Sequence, residues 1–147
     1  MKRFSLLIII LSSIILFGCS QQLQSTIPPG TNLKKISKFY VVHCNDEKRG
    51  LHKIISDELN SMGFSSTYGE KEDIPSDIDA IVTYVDNWQW DLTNYMVKIT
   101  ITFRKPDGSL LATASSFRTS MVRKNPPEMI RETLNEIFHP KAKLQSD

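Results

Sequence analysis

Two stretches of alternating apolar and polar residues constrain the fold of this chain more than any other feature. The stretches are residues 78–88 and residues 95–104. A period of two is that of a β-strand with one buried face and one solvated face. Residues 105–108 (Lys-Pro-Asp-Gly) form a turn, because Pro presets φ and Gly accepts a left-handed conformation. With residues 110–120 as the returning strand, the sequence predicts a three-stranded antiparallel meander.

Two helices flank this meander. Residues 51–62 carry apolar side chains at helical spacing, after an Asn-Asp pair at 45–46 that can act as N-cap and before Gly63. Residues 125–128 (Asn-Pro-Pro-Glu) open the second helix, since Asn can cap it and Glu can bond back to the cap. Pro140 ends this helix.

Two short strands complete the pattern. Residues 39–43 are rich in aromatic and β-branched side chains, and residues 64–68 follow the first helix. The element order is then β-α-β-β-β-β-α. The sequence therefore predicts an α+β fold, a two-layer sandwich in which two helices cover a mostly antiparallel sheet of about four to five strands.

Length and charge limit the classes of function. At 147 residues, the chain has material for one domain. Its 18 Lys and Arg face 16 Asp and Glu, and two of the cations, Lys2 and Arg3, lie at the very start of the chain. Without them the chain is neutral and its charges are dispersed. Such a domain lacks the basic surface that nucleic acids require, so we expect no nucleic-acid partner.

The start of the chain is typical of a secretory signal. Lys2 and Arg3 precede an apolar run over residues 4–17, which ends at Gly18 and Cys19. A charged start followed by an apolar region of this length matches a signal peptide. A membrane-spanning helix is not expected, because it needs about 20 apolar residues.

Residues 16–19 (Leu-Phe-Gly-Cys) resemble the lipobox of bacterial lipoproteins. The resemblance implies cleavage between Gly18 and Cys19, a diacylglyceryl thioether on Cys19, and acylation of the amine that cleavage frees. Several acyl chains anchor a protein firmly, since each buried methylene contributes about 0.8 kcal/mol. Ser20, by analogy with the family, favours the outer membrane, with the domain facing the periplasm.

These signals divide the chain into four parts. We expect a signal peptide at 1–18, a flexible tether at 19–34, a periplasmic α+β domain at 35–140 and a flexible tail at 141–147. The tether prediction depends on a composition of Gln, Ser, Thr and Pro. Because Cys19 carries lipid in this scheme, Cys44 has no disulfide partner in the chain, and we expect a buried, inert thiol.

The element order on a lipid tether is similar to that of several small envelope lipoproteins. These are the lipopolysaccharide-assembly lipoprotein, the penicillin-binding-protein activator lipoproteins and the core domain of the curli secretion lipoprotein. The chain resembles still more closely a group of small lipoproteins with an aspartate-rich Trp-x-Trp-Asp segment, here residues 79–91. The likeness covers about residues 40–138 and implies an envelope location. It brings no catalytic motif.

The Trp-x-Trp-Asp segment is the candidate binding surface. Trp88 and Trp90 offer ring faces, and Asp86 and Asp91 offer acceptors, as recognition of a sugar or an aromatic group requires. In a structural alternative, the tryptophans cover the core at a strand end and the aspartates bond turn amides. A third alternative is glycan hydrolysis by two carboxylates about 5–10 Å apart, taken from Asp79, Asp86 and Asp91.

Two other groups of polar residues are weaker candidates. His43 and Cys44 are neighbours on a strand and point to opposite faces, so they cannot pair directly as base and nucleophile. Together with His52 they lack the paired spacing of common metal sites, so we expect no metal and no cofactor. The second group is a basic patch for anionic lipid or lipopolysaccharide phosphates, or else ordinary ion-paired charge. Its members are Arg104, Lys105, Arg118, Arg123 and Lys124.

Together these features predict a membrane-anchored periplasmic lipoprotein that binds an envelope protein, a glycan or lipopolysaccharide without catalysis. The alternative is a small enzyme that acts on envelope glycan through Asp79, Asp86 or Asp91.

Overall fold

The computed structural model describes residues 21–140, so the leader with Gly18 and Cys19 and the tail 141–147 lie outside it. Six strands form one sheet in the order β1-β6-β5-β4-β2-β3. The elements are β1 (Gln21–Thr26), β2 (Lys38–Val42), α1 (Leu51–Ser61), β3 (Ser65–Gly69), β4 (Ala80–Asp91), β5 (Thr93–Arg104), β6 (Leu110–Arg118) and α2 (Pro126–Phe138). Within the described range, neither helix is long and apolar enough to cross a membrane.

The meander of β4, β5 and β6 confirms the strongest signal in the sequence. β4 pairs antiparallel with β5 from Ile81↔Arg104 to Asp91↔Thr93, and β5 pairs antiparallel with β6. Alternate side chains of β4 and β5 are buried, and they join apolar residues of both helices in one core. Both helices therefore cover the same face of the sheet.

The sheet is mixed, because β2 runs parallel to both of its neighbours, β3 and β4. A parallel connection must carry the chain back to the same end of the sheet, and α1 does so between β2 and β3. The predicted α+β class with two helices is confirmed. The sheet has six strands rather than four or five, and two of its pairings are parallel.

The additional strand is β1, in a segment for which the sequence predicts a flexible tether. β1 pairs antiparallel with β6 from Gln21↔Arg118 to Thr26↔Thr113. The physical reason is backbone pairing: without β1, the outer edge of β6 would present a row of unpaired N–H and C=O groups. Polar side chains do not prevent this pairing, so the composition of residues 21–26 gave no sign of it.

The two helices begin in different ways. The capping box of α2 is confirmed, since Asn125 Oδ1 accepts from the Glu128 amide at 2.9 Å and the Glu128 carboxylate accepts from the Asn125 amide at 3.4 Å. α1 begins later than the Asn-Asp pair at 45–46 predicts. Gly50, with φ 73°, turns the chain into the helix, and the Glu47 carboxylate accepts from the Leu51 amide at 2.8 Å. A left-handed residue interrupts helical geometry, so the preceding loop stays outside the helix.

Candidate functional site

The Trp-x-Trp-Asp segment forms β4, and its two tryptophans lie on the last part of that strand, before a tight hairpin. β4 ends at Asp91 and β5 begins at Thr93, so Leu92 turns the chain with a φ of 57°. The register shifts between Asn87 and Trp88, which marks a bulge that increases the local twist. Residues 90–93 are called the hairpin tip below.

Trp88 is a packing residue. Its ring is half-buried against the hydrophobic core. Its Nε1–H donates to Asp86 Oδ2 at 2.5 Å, and the Arg49 guanidinium lies 4.0 Å from the ring centroid. The Trp88 ring, its N–H and the Asp86 carboxylate therefore all make contacts within the domain.

Trp90 has a different environment. It is 74% exposed, and Leu92, the turn residue, is 86% exposed. Met121, in the short helical turn after β6, is 93% exposed. The two tryptophans therefore differ, since Trp88 packs against the core and Trp90 is exposed.

The hairpin tip is held by contacts from the segment that follows β6. Arg123 Nη1 donates to Thr93 Oγ1 at 3.2 Å, and its Nη2 lies 3.9 Å from Asp91 Oδ2. The same guanidinium lies 5.0 Å from the Tyr95 ring centroid, and the Tyr95 hydroxyl donates to Gln89 Oε1 at 3.1 Å. The exposed side chains are thus presented on a supported hairpin.

The hairpin tip and the start of β1 lie at the same end of the sheet. β1 and β5 are both antiparallel to β6, so both begin at that end. Gln21 pairs with Arg118 of β6, and the neighbouring Phe117 pairs with Lys98 of β5, so Gln21 lies at about the level of Val97. Leu92 lies five residues before Val97, so the tip projects roughly 16 Å beyond the level of Gln21, at about 3.3 Å per residue.

The three aspartates of the hydrolytic alternative do not come together. Asp79 accepts from the amides of Ser37 and Lys38, each at 2.9 Å, and these bonds hold the pKa of its carboxyl below the ordinary value. Asp91 lies at the other end of β4, roughly 40 Å away, and Asp86 is five residues from Asp91 on the opposite face. Paired carboxylates of glycosidases are about 5–10 Å apart.

The basic residues do not form one patch either. Arg118 and Lys124 both pair with Glu132, at 2.5 and 2.8 Å. Arg104 lies at the other end of the sheet, where its Nη1 donates to the Gly108 carbonyl. Arg118 and Lys124 therefore match the alternative in which the basic residues are ordinary ion-paired charges.

The spacing of His43 and His52 in the sequence predicts no metal site, but these side chains come together where β2 leads into α1. Ligand atoms of His43, Glu47 and His52 lie within 4.8 Å of one another, and the two imidazole rings are 4.3 Å apart. Glu47 was missed because it lies in a loop and follows no recognised spacing. Its burial is a tertiary feature, at 6% exposure.

The surroundings of the two histidines shift their pKa values in opposite directions. The hydrogen bond to the Glu70 carboxylate at 2.8 Å, with a further one to the Glu47 carbonyl, raises the pKa of His43. Burial, followed by the proximity of His43, lowers the pKa of His52. Cys44, for which we expected burial, is an exposed free thiol, because it lies just past the end of β2.

Comparison with known proteins identifies a fold. No protein-family model and no curated protein matches this chain. The PelC dodecamer from Paraburkholderia phytofirmans is similar with a TM-score of 0.57 at 11% identity, over 82% of this chain and 96% of that one. A variant PelC from the same organism, in another crystal form, gives 0.56 at 12% identity, over 82% and 95%. A DUF4136 family protein from Bacteroides thetaiotaomicron gives 0.47 at 13% identity, over 82% and 95%. At this identity, the likeness to PelC shows a shared fold alone.

Proposed function

We propose that this chain is a lipid-anchored, non-catalytic binding module of the bacterial envelope, and that the surface it binds through the hairpin tip is the membrane itself. One observation carries the proposal. Trp90 and Leu92 are exposed on a supported hairpin at the end of the sheet from which the chain leads back to Cys19.

Chain length supports this orientation. Two peptide steps separate Cys19 from Gln21, where β1 begins, and they span at most about 7 Å. The tip projects farther than that, by roughly 16 Å beyond Gln21. With the acyl chains of Cys19 in a bilayer and the sheet end facing it, the tip reaches the headgroup layer. The flexible tether that the sequence predicts at 19–34 would impose no such orientation.

The chemistry of the tip suits a lipid surface. Trp is favoured at the boundary between headgroups and acyl chains, where its ring is partly apolar and partly polar. Leu92 and Met121 add apolar surface at the same end. Arg49 and Arg123 are exposed residues, so their guanidiniums can meet lipid phosphates while they contact the rings of Trp88 and Tyr95. Exposed apolar side chains grouped in this way are typical of a membrane or partner contact.

The first experiment follows Trp90 directly. The Trp88→Phe variant leaves Trp90 as the single tryptophan of the chain. In the lipidated full chain, reconstituted in vesicles of phosphatidylethanolamine and phosphatidylglycerol, we expect a blue-shifted emission and strongly reduced quenching by iodide. The reference is the same variant with Cys19→Ser, free in buffer. Equal quenching in both states would contradict the membrane contact.

The second experiment separates the anchor from the tip. Cys19→Ser should remove the lipid and release the domain from membranes, and a mature protein that retains its intact leader would contradict the anchor. In that unlipidated chain, Leu92→Ser should weaken the residual vesicle binding about tenfold, since burial of a leucine contributes about 1.5–3 kcal/mol. Val85→Ser is the matched control, because Val85 is 65% exposed on β4 but lies away from the tip. If Trp90 is shielded only in the presence of envelope proteins, the hairpin tip binds a protein partner and not the lipid surface.

A further inference from the structure

We propose that His43, Glu47 and His52 form a binding site for one divalent cation of the zinc class. One ligand atom from each side chain lies within 4.8 Å of the other two. Two imidazoles and a carboxylate are a donor set that proteins use for zinc and neighbouring first-row metals. The proposal depends neither on the lipid anchor nor on the hairpin tip.

The atom that points to a cation is Nδ1 of His52. It is buried and has no hydrogen-bond partner among residues 21–140, and the residue as a whole is 8% exposed. A buried polar atom left unpaired is rare, because its desolvation costs about 1–3 kcal/mol. Oε2 of Glu47 lies 3.8 Å from it, beyond hydrogen-bond distance. A cation between these two atoms would give Nδ1 of His52 the partner that it lacks.

Glu70 orients His43 as a ligand. Its Oε1 lies 2.8 Å from Nδ1 of His43, which favours the proton on that nitrogen. Nε2 faces the other way and donates to the Glu47 carbonyl oxygen at 3.1 Å, so a bound cation would replace this proton and its hydrogen bond. Metal-binding histidines commonly donate their second N–H to a carboxylate, which fixes the ring and raises its basicity. Nε2 is therefore the atom that His43 offers to the cation.

The fold holds the Glu47 carboxylate in place. Oε2 accepts from the Leu51 amide at 2.8 Å and from the Tyr84 hydroxyl at 3.3 Å, and the side chain is 2% exposed. A carboxylate has about four acceptor positions, so it can keep these bonds and bind a cation as well. Ligand atoms around tetrahedral zinc are about 3.4 Å apart, so distances of up to 4.8 Å between the ligand atoms need to close by at most about 1.4 Å.

The test uses the full chain in detergent after treatment with a chelator, in a Cys44→Ser background, since an exposed thiol is itself a metal ligand. We expect one Co²⁺ per chain with visible d–d absorption, displacement by Zn²⁺, and a melting temperature that rises with Zn²⁺. His43→Gln and His52→Gln should each weaken binding by at least about 100-fold, and Glu70→Gln by about 10- to 100-fold. His139→Gln is the matched control, because His139 is exposed and outside the cluster.

Three results would overturn the site. They are Co²⁺ affinity unchanged in both cluster histidine variants, equal loss in the His139→Gln control, and no binding below millimolar metal. The melting temperature of each metal-free variant shows whether it is folded. If His52→Gln unfolds, Glu70→Gln still decides the question, because the Glu70 side chain is 49% exposed and its replacement leaves the core intact.

Discussion

Trp88 and Trp90 occupy alternate positions of one strand, and their environments differ because the core ends between them. Trp88 packs against the core and bonds Asp86, whereas Trp90 is 74% exposed. Alternation assigns both to one face of β4, but the extent of burial depends on how far the neighbouring elements cover that face. The candidate binding set therefore divides into a packing pair and an exposed tip.

This difference predicts unequal effects on stability. Trp88→Ala should lower the free energy of unfolding by about 2–3 kcal/mol, somewhat less than for a fully buried tryptophan. Trp90→Ala should change it by at most about 0.5 kcal/mol, as is usual for exposed positions. Urea unfolding of the two variants, followed by circular dichroism, measures both values. Similar losses in the two variants would contradict the assignment of Trp90 to the surface.

At the scale of elements, β1 changes the architecture most. It covers the outer edge of β6 and shortens the chain between Cys19 and the domain from an expected sixteen-residue tether to a short connection. In addition, the β1–β6 unit is tied to α2, since Ser25 Oγ donates to Glu136 Oε1 at 3.4 Å.

Hydrogen exchange can test the pairing of β1 with β6. Amides of residues 21–26 that bond to β6 should exchange at least about 100-fold more slowly than in a free peptide of the same sequence, because exchange then requires the strand to open. Mass spectrometry of the full chain in detergent, with that peptide as reference, gives the protection factor. Exchange at the rate of the free peptide would contradict the pairing and support a flexible tether.

A second contact between elements is the ion pair that joins β6 to α2. Burial alone would raise the pKa of the Glu132 carboxyl, but hydrogen bonds from Arg118, Lys124 and Ser116 outweigh it and hold the pKa below the ordinary value. Arg118 is itself buried, at 8% exposure. Loss of the carboxylate would leave that guanidinium without its counter-charge.

Glu132→Gln should therefore lower the free energy of unfolding by about 3 kcal/mol at pH 7. Because the folded-state pKa is depressed, the stabilisation is present above the unfolded pKa of about 4.3 and is lost as the pH falls through the folded value. The difference between the variant and the parent chain should accordingly shrink in acid. Denaturant unfolding between pH 3 and about pH 7 measures it, with Glu72→Gln at an exposed position as control. A difference independent of pH would exclude the charge as its cause.

At the scale of the whole molecule, the fold brings together two sets of residues from separate parts of the chain. The start of β1 and the hairpin tip share one end of the sheet, and the junction of β2 and α1 gathers the histidines with Glu47. The same sheet keeps Asp79 far from Asp91, because they flank one long strand. The proposals for a membrane contact and a cation site both depend on this arrangement.

Local patterns in the sequence were sufficient to predict the α+β class, the meander and the capping box of α2. Alternation and helical spacing record which face of an element is buried, and a cap is formed by residues three positions apart. Those signals are local, so the chain itself contains them. The lipobox and the leader are also local motifs, and lipidation at Cys19 stays a prediction.

Only the tertiary structure decided the remaining features, which depend on contacts between distant parts of the chain. The pairing of β1 uses backbone groups that every residue carries, so its side chains give no signal. Glu47 and His52 are five positions apart, but their burial beside His43 results from the packing of α1 against β2 and β3 and from the contact of Glu47 with Tyr84 of β4. Likewise, the exposure of Trp90 depends on where the core ends. That β1 begins at the same end of the sheet as the hairpin tip depends on the order of the strands, which no single segment of the sequence encodes.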